Sequence, residues 1–148
     1  MKAPRHPVLH VAEPRPSYLH RPPIVVDCSV LSATLFEEET RDDAVGILFG
    51  KTLHAPALLD TEMVSVAVKK SRAGSPAALV ERAISDYFQQ EIELYRPDAQ
   101  AQYAIAMRYR LSAYDAAYLW LAGYLKAPLA TFDEKLAKAA RTHLADIG

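Results

Sequence analysis

The apolar positions of this chain follow two repeats that alternate along its length. Ile24-Val25-Val26 is a short β-branched run, the pattern of a strand buried on both faces. It stops at Asp27, and Ser29 then offers a cap for a helix carrying Val30, Leu31, Leu35 and Phe36. Thr40 or Asp42 opens a second helix with Val45, Leu48 and Phe49 on one side, and Gly50 lies near its end. Leu53-His54-Ala55 reads as a brief strand stopped by Pro56, and a helix over 57–72 follows with Leu58, Leu59, Met63, Val66 and Val68. Gly74-Ser75-Pro76 predicts a turn and a helix start, with Ser75 as cap and Pro76 at the first helical position. That helix carries Leu79, Val80, Ile84 and Phe88. Ile92-Glu93-Leu94-Tyr95 alternates as a strand and ends before Pro97. Asp98 caps a helix with Tyr103, Ile105 and Met107, and Ser112 opens another with Leu119, Leu121, Ala122 and Leu125. Pro128-Leu129-Ala130-Thr131 is a strand, Asp133 begins a last helix with Leu136 and Ala139, and His143-Leu144-Ala145 adds an edge strand.

Strands alternating with helices predict an α/β fold, a mainly parallel sheet with helices on both faces. Ligands of such folds bind beyond the carboxyl ends of the strands. Asp27 and Asp133 directly follow two of the predicted strands, so the pattern and the acids point to the same edge.

Composition adds bounds. A length of 148 residues fits one domain with a sizeable core. No apolar run approaches the roughly 18–20 residues that span a bilayer, and the proline-broken N-terminus has no apolar signal core. Cys28 is the single cysteine, which rules out an internal disulfide and is compatible with a cytoplasmic protein.

The net charge of −1 conceals an uneven division. Residues 1–23 hold Lys2, Arg5, Arg15 and Arg21 against Glu13 alone, with Pro4, Pro7, Pro14, Pro16, Pro22 and Pro23 and with His6, His10 and His20. Proline at this density prevents a helix and disfavours a paired strand. Residues 1–22 are therefore expected as an irregular basic arm, and residues 23–148 as the folded domain. The arm either lies over its own domain or is loose, or it straps a partner or nucleic acid.

Four carboxylates then stand out, each with a bland alternative. Asp27 ends a buried strand, and Asp is also a common helix cap. Glu62 has Leu58, Leu59 and Val66 as its helical neighbours, which puts a charge on an apolar stripe unless it has a partner. Asp115 closes Ser112-Ala113-Tyr114-Asp115, a capping-box spacing. Asp133 lies where a cap would, and Thr131 to Glu134 has the same box spacing. Parallel strands gather all four at one edge, where repelling carboxylates require cations or protons to coexist. A site for a divalent ion follows, and its usual use is to cut or move phosphate.

Together the four segments resemble the PIN-domain ribonucleases, in particular the VapC-type toxins of type II toxin–antitoxin systems. Val25-Val26-Asp27-Cys28-Ser29 is similar to the family's opening strand and first acid. Ala55-Pro56-Ala57-Leu58-Leu59-Asp60-Thr61-Glu62 is similar to its proline-led helix with the second acid. Leu111-Ser112-Ala113-Tyr114-Asp115-Ala116-Ala117-Tyr118-Leu119 resembles the helix with the third, and Leu129-Ala130-Thr131-Phe132-Asp133-Glu134-Lys135-Leu136 the last strand and fourth acid. The likeness runs from about residue 24 to 145 in the family's order. Residues 1–23 depart from it, since the family usually begins near the first strand.

The resemblance implies a three-layer α/β/α PIN-like fold with a sheet of four or five strands. It also implies cleavage of RNA with Mg2+ or Mn2+, control by a cognate antitoxin, and homodimerisation through helices in the region where Tyr103, Tyr109, Tyr114, Tyr118, Trp120 and Tyr124 suggest an aromatic-rich helix pair, which is either core or a dimer face. Asp27 and Asp115 are expected as principal metal ligands, with Glu62 and Asp133 completing the ring. Ser29 and Thr131 either hold the carboxylates through their hydroxyls or cap helices. Lys69, Lys70, Arg72, Arg108 and Arg110 are candidate RNA contacts, although basic side chains also favour helix C-termini for dipole reasons. Cys28 is expected as a small buried residue and His54 as structural. A competing reading is a PIN fold that binds RNA or protein without cutting. Phosphotransfer folds are set aside: Ser29 stands where a phosphatase of the haloacid-dehalogenase type needs its second acid, and no glycine loop cradles phosphate.

Overall fold

The computed structural model describes residues 5–14 and 21–147. Among them the elements run β1 (His10–Ala12), β2 (Pro23–Val26), α1 (Cys28–Leu35), α2 (Arg41–Leu48), β3 (Thr52–Pro56) and α3 (Leu59–Arg72). They continue with α4 (Ala77–Gln89), β4 (Ile92–Tyr95), α5 (Ala99–Tyr109), α6 (Ala113–Leu125), β5 (Leu129–Thr131) and α7 (Glu134–Ile147). The five strands form one sheet in the order β1-β5-β2-β3-β4. β5, β2, β3 and β4 are mutually parallel, with Val25 beside both His54 and Leu129.

Helices cover both faces, as the three-layer expectation requires. α6 crosses β2, β3 and β5, with α5 and α7 beside it, while α1 packs with α2, α3 and α4 on the other side. This explains the unbroken apolar run of β2: Ile24, Val25 and Val26 are all buried because a central strand has no solvated face. At the far edge, β4 keeps only Ile92 and Tyr95 partly covered, and Leu94, which the alternation places beside Ile92, is exposed.

Several sequence expectations change. The segment expected to be wholly irregular supplies β1, which pairs antiparallel with β5, His10 opposite Thr131 and Ala12 opposite Leu129. The stretch between Pro7 and Pro14 is free of proline, and an edge strand tolerates proline at its flanks. Ala12 is buried there, and Arg141 of α7 meets His10 at 3.1 Å. Residues 143–145, expected as an edge strand, continue α7 instead. Leu136, Ala137, Ala140 and Leu144 form one buried helical stripe, so the period of the last helix runs through the segment. In α2 only Ala44 is buried; Val45 is exposed, and Phe49, just past the helix, is 82% exposed. α3 begins at Leu59 rather than 57, and Pro76 stands at the cap position of α4 rather than inside it.

Candidate active site

Asp27 leaves the carboxyl end of β2 and stands at the cap position of α1, yet its side chain makes no cap bond. It instead accepts hydroxyl hydrogen bonds on Oδ2 from Ser29 and from Thr131, both at 2.8 Å. Thr131 is the last residue of β5, the neighbouring strand, so the parallel pairing of β2 and β5 brings the two together. Ser29 does not cap α1; its Oγ accepts the Phe132 backbone N–H at 3.2 Å and ties the start of α1 to the end of β5. Thr131 Oγ1 accepts the Asp133 N–H at 3.0 Å, so its bond runs to Asp133 and not to Glu134 as a box would require.

The other acids arrive from three helices. Asp133 caps α7, accepting the Leu136 N–H on Oδ1 at 2.9 Å. Cap and site position coincide here: one oxygen is engaged by the helix and the residue stays exposed beside Asp27. Ser112 Oγ accepts the Asp115 N–H at 3.1 Å, which is one half of the expected capping box and starts α6. Glu62 lies in the first turn of α3, half-buried between Leu59 and Val66, and accepts Tyr118 Oη on Oε1 at 2.6 Å.

The electrostatics tie these groups into one field. Burial is the largest influence on Asp27, Glu62 and Asp115 alike. Asp27, only 7% exposed, is pushed above the usual carboxylate range by burial and by Asp133, against the hydrogen bonds of Ser29, Thr131 and the Cys28 backbone. Glu62 is raised by burial, with Asp27 and Asp115 adding to it and Tyr118 opposing. Asp115 is pushed up to about 6 by burial and by Asp27 and Asp133, with Ser112 and Lys135 working the other way. The same charges, after burial, lift the Cys28 thiol to about 12, so it stays a neutral buried side chain against Met63 and is no nucleophile.

The donor set is all oxygen, which is the chemistry of Mg2+ and Mn2+ sites. Among the described residues no three His, Cys, Asp or Glu side chains converge closely enough to enclose an ion unaided. An Mg2+ or Mn2+ ion held here would take one or two carboxylates directly and keep waters in its other positions.

The basic candidates separate. Lys69 is exposed and its charge reaches Cys28, and Arg72 and Arg110 are exposed too. Lys70 is occupied elsewhere, 3.2 Å from Glu38 and over the Phe36 ring. Arg108 is held at the contact between α5 and α7, 3.5 Å from Asp146 and over Tyr109. His54 is buried in a network with Thr52 and Tyr95, consistent with a structural histidine. Two neighbours of the acids were not expected at the site: Lys135, and Tyr118, which was expected only among the aromatic-rich helices and is fully buried against Glu62 instead of lying on an exposed face. Their signal was spacing: Tyr118 lies three residues after Asp115 on one helix face, and Lys135 two after Asp133.

A three-layer α/β/α domain with acids gathered past the carboxyl ends of its parallel strands defines the class. Residues 24–142 match the PIN domain family, and this chain belongs to it. It is 33% identical over 118 residues to ribonuclease VapC3 from two strains of Mycobacterium tuberculosis, covering 78% of this chain and 86% of that protein. The crystal structure of PAE2754 from Pyrobaculum aerophilum superposes with a TM-score of 0.65 at 21% identity, covering 88% of this chain and 93% of the other, which shows a shared fold.

Proposed function

We propose that this chain is a metal-dependent endoribonuclease and the toxin of a toxin–antitoxin pair. The observation that carries the reading is the set Asp27, Glu62, Asp115 and Asp133 at one end of the sheet, in which burial and neighbouring acids raise the proton affinity of Asp27, Glu62 and Asp115. A cation among them relieves repulsion that the fold otherwise leaves uncompensated. Similarity to ribonuclease VapC3 supports RNA as substrate, and the resemblance to VapC-type toxins implies an antitoxin as partner.

Asp27 and Asp115 would hold Mg2+ or Mn2+, directly or through water, and Glu62 and Asp133 would complete the ring. When bound, the ion supplies an acidified water and offsets charge on the phosphate. Asp27 enters with one oxygen already fixed by Ser29 and Thr131, so it does not have to be ordered when substrate binds. Of the basic residues named above, Lys69, Arg72, Arg110 and Lys135 have no ion pair among the described residues and would approach RNA phosphates; Lys70 and Arg108 are engaged by Glu38 and Asp146. The exposed side of α5 and α6 would join two copies.

The test is cleavage of total cellular RNA by purified protein with Mg2+, Mn2+ or EDTA, beside Asp27→Asn and Asp115→Asn. Cutting that needs the metal and falls by at least about a hundredfold in both variants supports the reading. Folded, partner-free protein that never cuts points to a binding module, and cutting that survives both substitutions overturns the four-acid site.

A further inference from the structure

Hydroxyl groups grip two of the four acids, each by a single oxygen. Ser29 and Thr131 share Oδ2 of Asp27. Tyr118 takes Oε1 of Glu62 at 2.6 Å. Tyr118 lies on α6 one turn beyond Asp115, fully buried, and its ring spans from the helix to α3. A phenylalanine would fill the same apolar space without needing an acceptor. The phenol instead brings a buried donor that needs a partner, and the partner it has is a carboxylate of the ring.

We propose that Tyr118 is a positioning residue, whose hydroxyl holds Glu62 by Oε1 and leaves Oε2 as the one oxygen that Glu62 presents to the cleft. Tyr118 does for Glu62 what Ser29 and Thr131 do for Asp27. Because Asp115 and Tyr118 share a turn of α6, that helix sets the third acid and the grip on the second as one rigid unit. The inference rests on the metal-site reading above and assigns the denticity of one ligand within it: Glu62 binds through a single oxygen.

The fold contains its own control. Tyr87 of α4 donates to Asp60 of α3, also at 2.6 Å, but neither residue is among the groups that act on Asp27, Glu62 or Asp115. Binding of Mn2+ by calorimetry would be compared for the full-length wild type, Tyr118→Phe, Glu62→Gln, the double variant and Tyr87→Phe, each checked by thermal melting. Tyr118→Phe is expected to weaken Mn2+ binding about tenfold. The double variant should bind no worse than Glu62→Gln alone, because the hydroxyl acts only through that carboxylate. Tyr87→Phe should melt earlier and bind Mn2+ as the wild type does. Unchanged binding by Tyr118→Phe, or losses that simply add in the double variant, would overturn the inference and leave the metal site standing. A wild type that binds no Mn2+ sinks the metal-site reading and this inference with it. A crystal structure of the wild type with Mn2+ decides independently of any variant: Oε2 on the ion with Oε1 still on Tyr118 supports the assignment, and a bidentate Glu62 refutes it.

Discussion

A carboxylate half withdrawn from water and facing other carboxylates is a liability to the fold at neutral pH, and Asp115 shows it most clearly. Its proton affinity is raised by burial first and by Asp27 and Asp133 next, to about 6, where an unfolded aspartate titrates near 4. Between those values the folded chain holds a proton that the unfolded chain has released, so stability falls as pH rises through that window. Below it the side chain is neutral in both states and there is no penalty. At full strength a shift of this size corresponds to roughly 3 kcal/mol, and partial exposure and salt reduce it to about 1 kcal/mol. Asp115→Asn is therefore expected to unfold at higher urea than the wild type at pH 7 in EDTA, and to show no advantage at pH 4. Comparing the pair removes the opposite trend of His54, which burial holds below its usual value and which destabilises the fold as it charges in acid. Adding Mn2+ at pH 7 should then raise the wild-type midpoint and leave that of Asp115→Asn nearly unchanged. An aspartate variant no more stable than wild type at neutral pH would show that the acids do not strain the metal-free fold.

At the scale of elements, β5 is the member on which most depends, because its three residues end at Thr131 and are enclosed by β2 on one side and β1 on the other. Without β1 its outer edge would present unpaired backbone groups. Deleting residues 1–13 would remove that edge together with the buried Ala12 and the partly buried Leu9 and Val11. The expected loss is about 2 kcal/mol in unfolding free energy, with cleavage reduced through a less constrained Thr131. A truncated chain that melts with the full-length protein would mean that the domain beginning near residue 23 is complete in itself. The strand of residues 10–12 was illegible in sequence because its partner lies 119 residues away in register, and its neighbours are prolines. By contrast, β2, β3 and β5 could be read locally, from short segments that end at Asp27, at Pro56 and at Thr131, two residues before Asp133. Their acids followed from that. The exposed side of α2 could not be read, since an apolar stripe reports a capacity for burial and not the presence of something to bury it. The grip of Tyr118 on Glu62 needed the packing of α6 against α3, which no local pattern contains.

On the scale of the whole molecule, no helix among the described residues is long and apolar enough to cross a membrane, yet α5 and α6 carry several exposed apolar side chains. α5 contributes no buried residue and packs chiefly on α6. Across the two helices and their junction, Tyr103, Met107, Tyr114 and Tyr124 are all more than half exposed, and Tyr124 stacks on Trp120. Exposed aromatic and methionine side chains are the residue types enriched in interface cores. A second copy is the proposed occupant, since a two-fold contact lets the same apolar patch cover itself. It needs about 800 Å² per partner to be stable, which a face of two helices can supply. Met107 offers the cleanest probe, because it is 64% exposed and enters none of the aromatic contacts of the described residues. Met107→Glu places a charge of the same sign opposite itself across a two-fold axis, and desolvates both. Light scattering should report twice the chain mass for the wild type and one chain mass for the variant, with association weakened at least about a hundredfold. The variant's monomer should otherwise keep its stability to within about 0.5 kcal/mol, as expected of a surface substitution. A wild type that remains monomeric at high concentration would remove the second copy as occupant. A variant that remains dimeric would move the contact to another face.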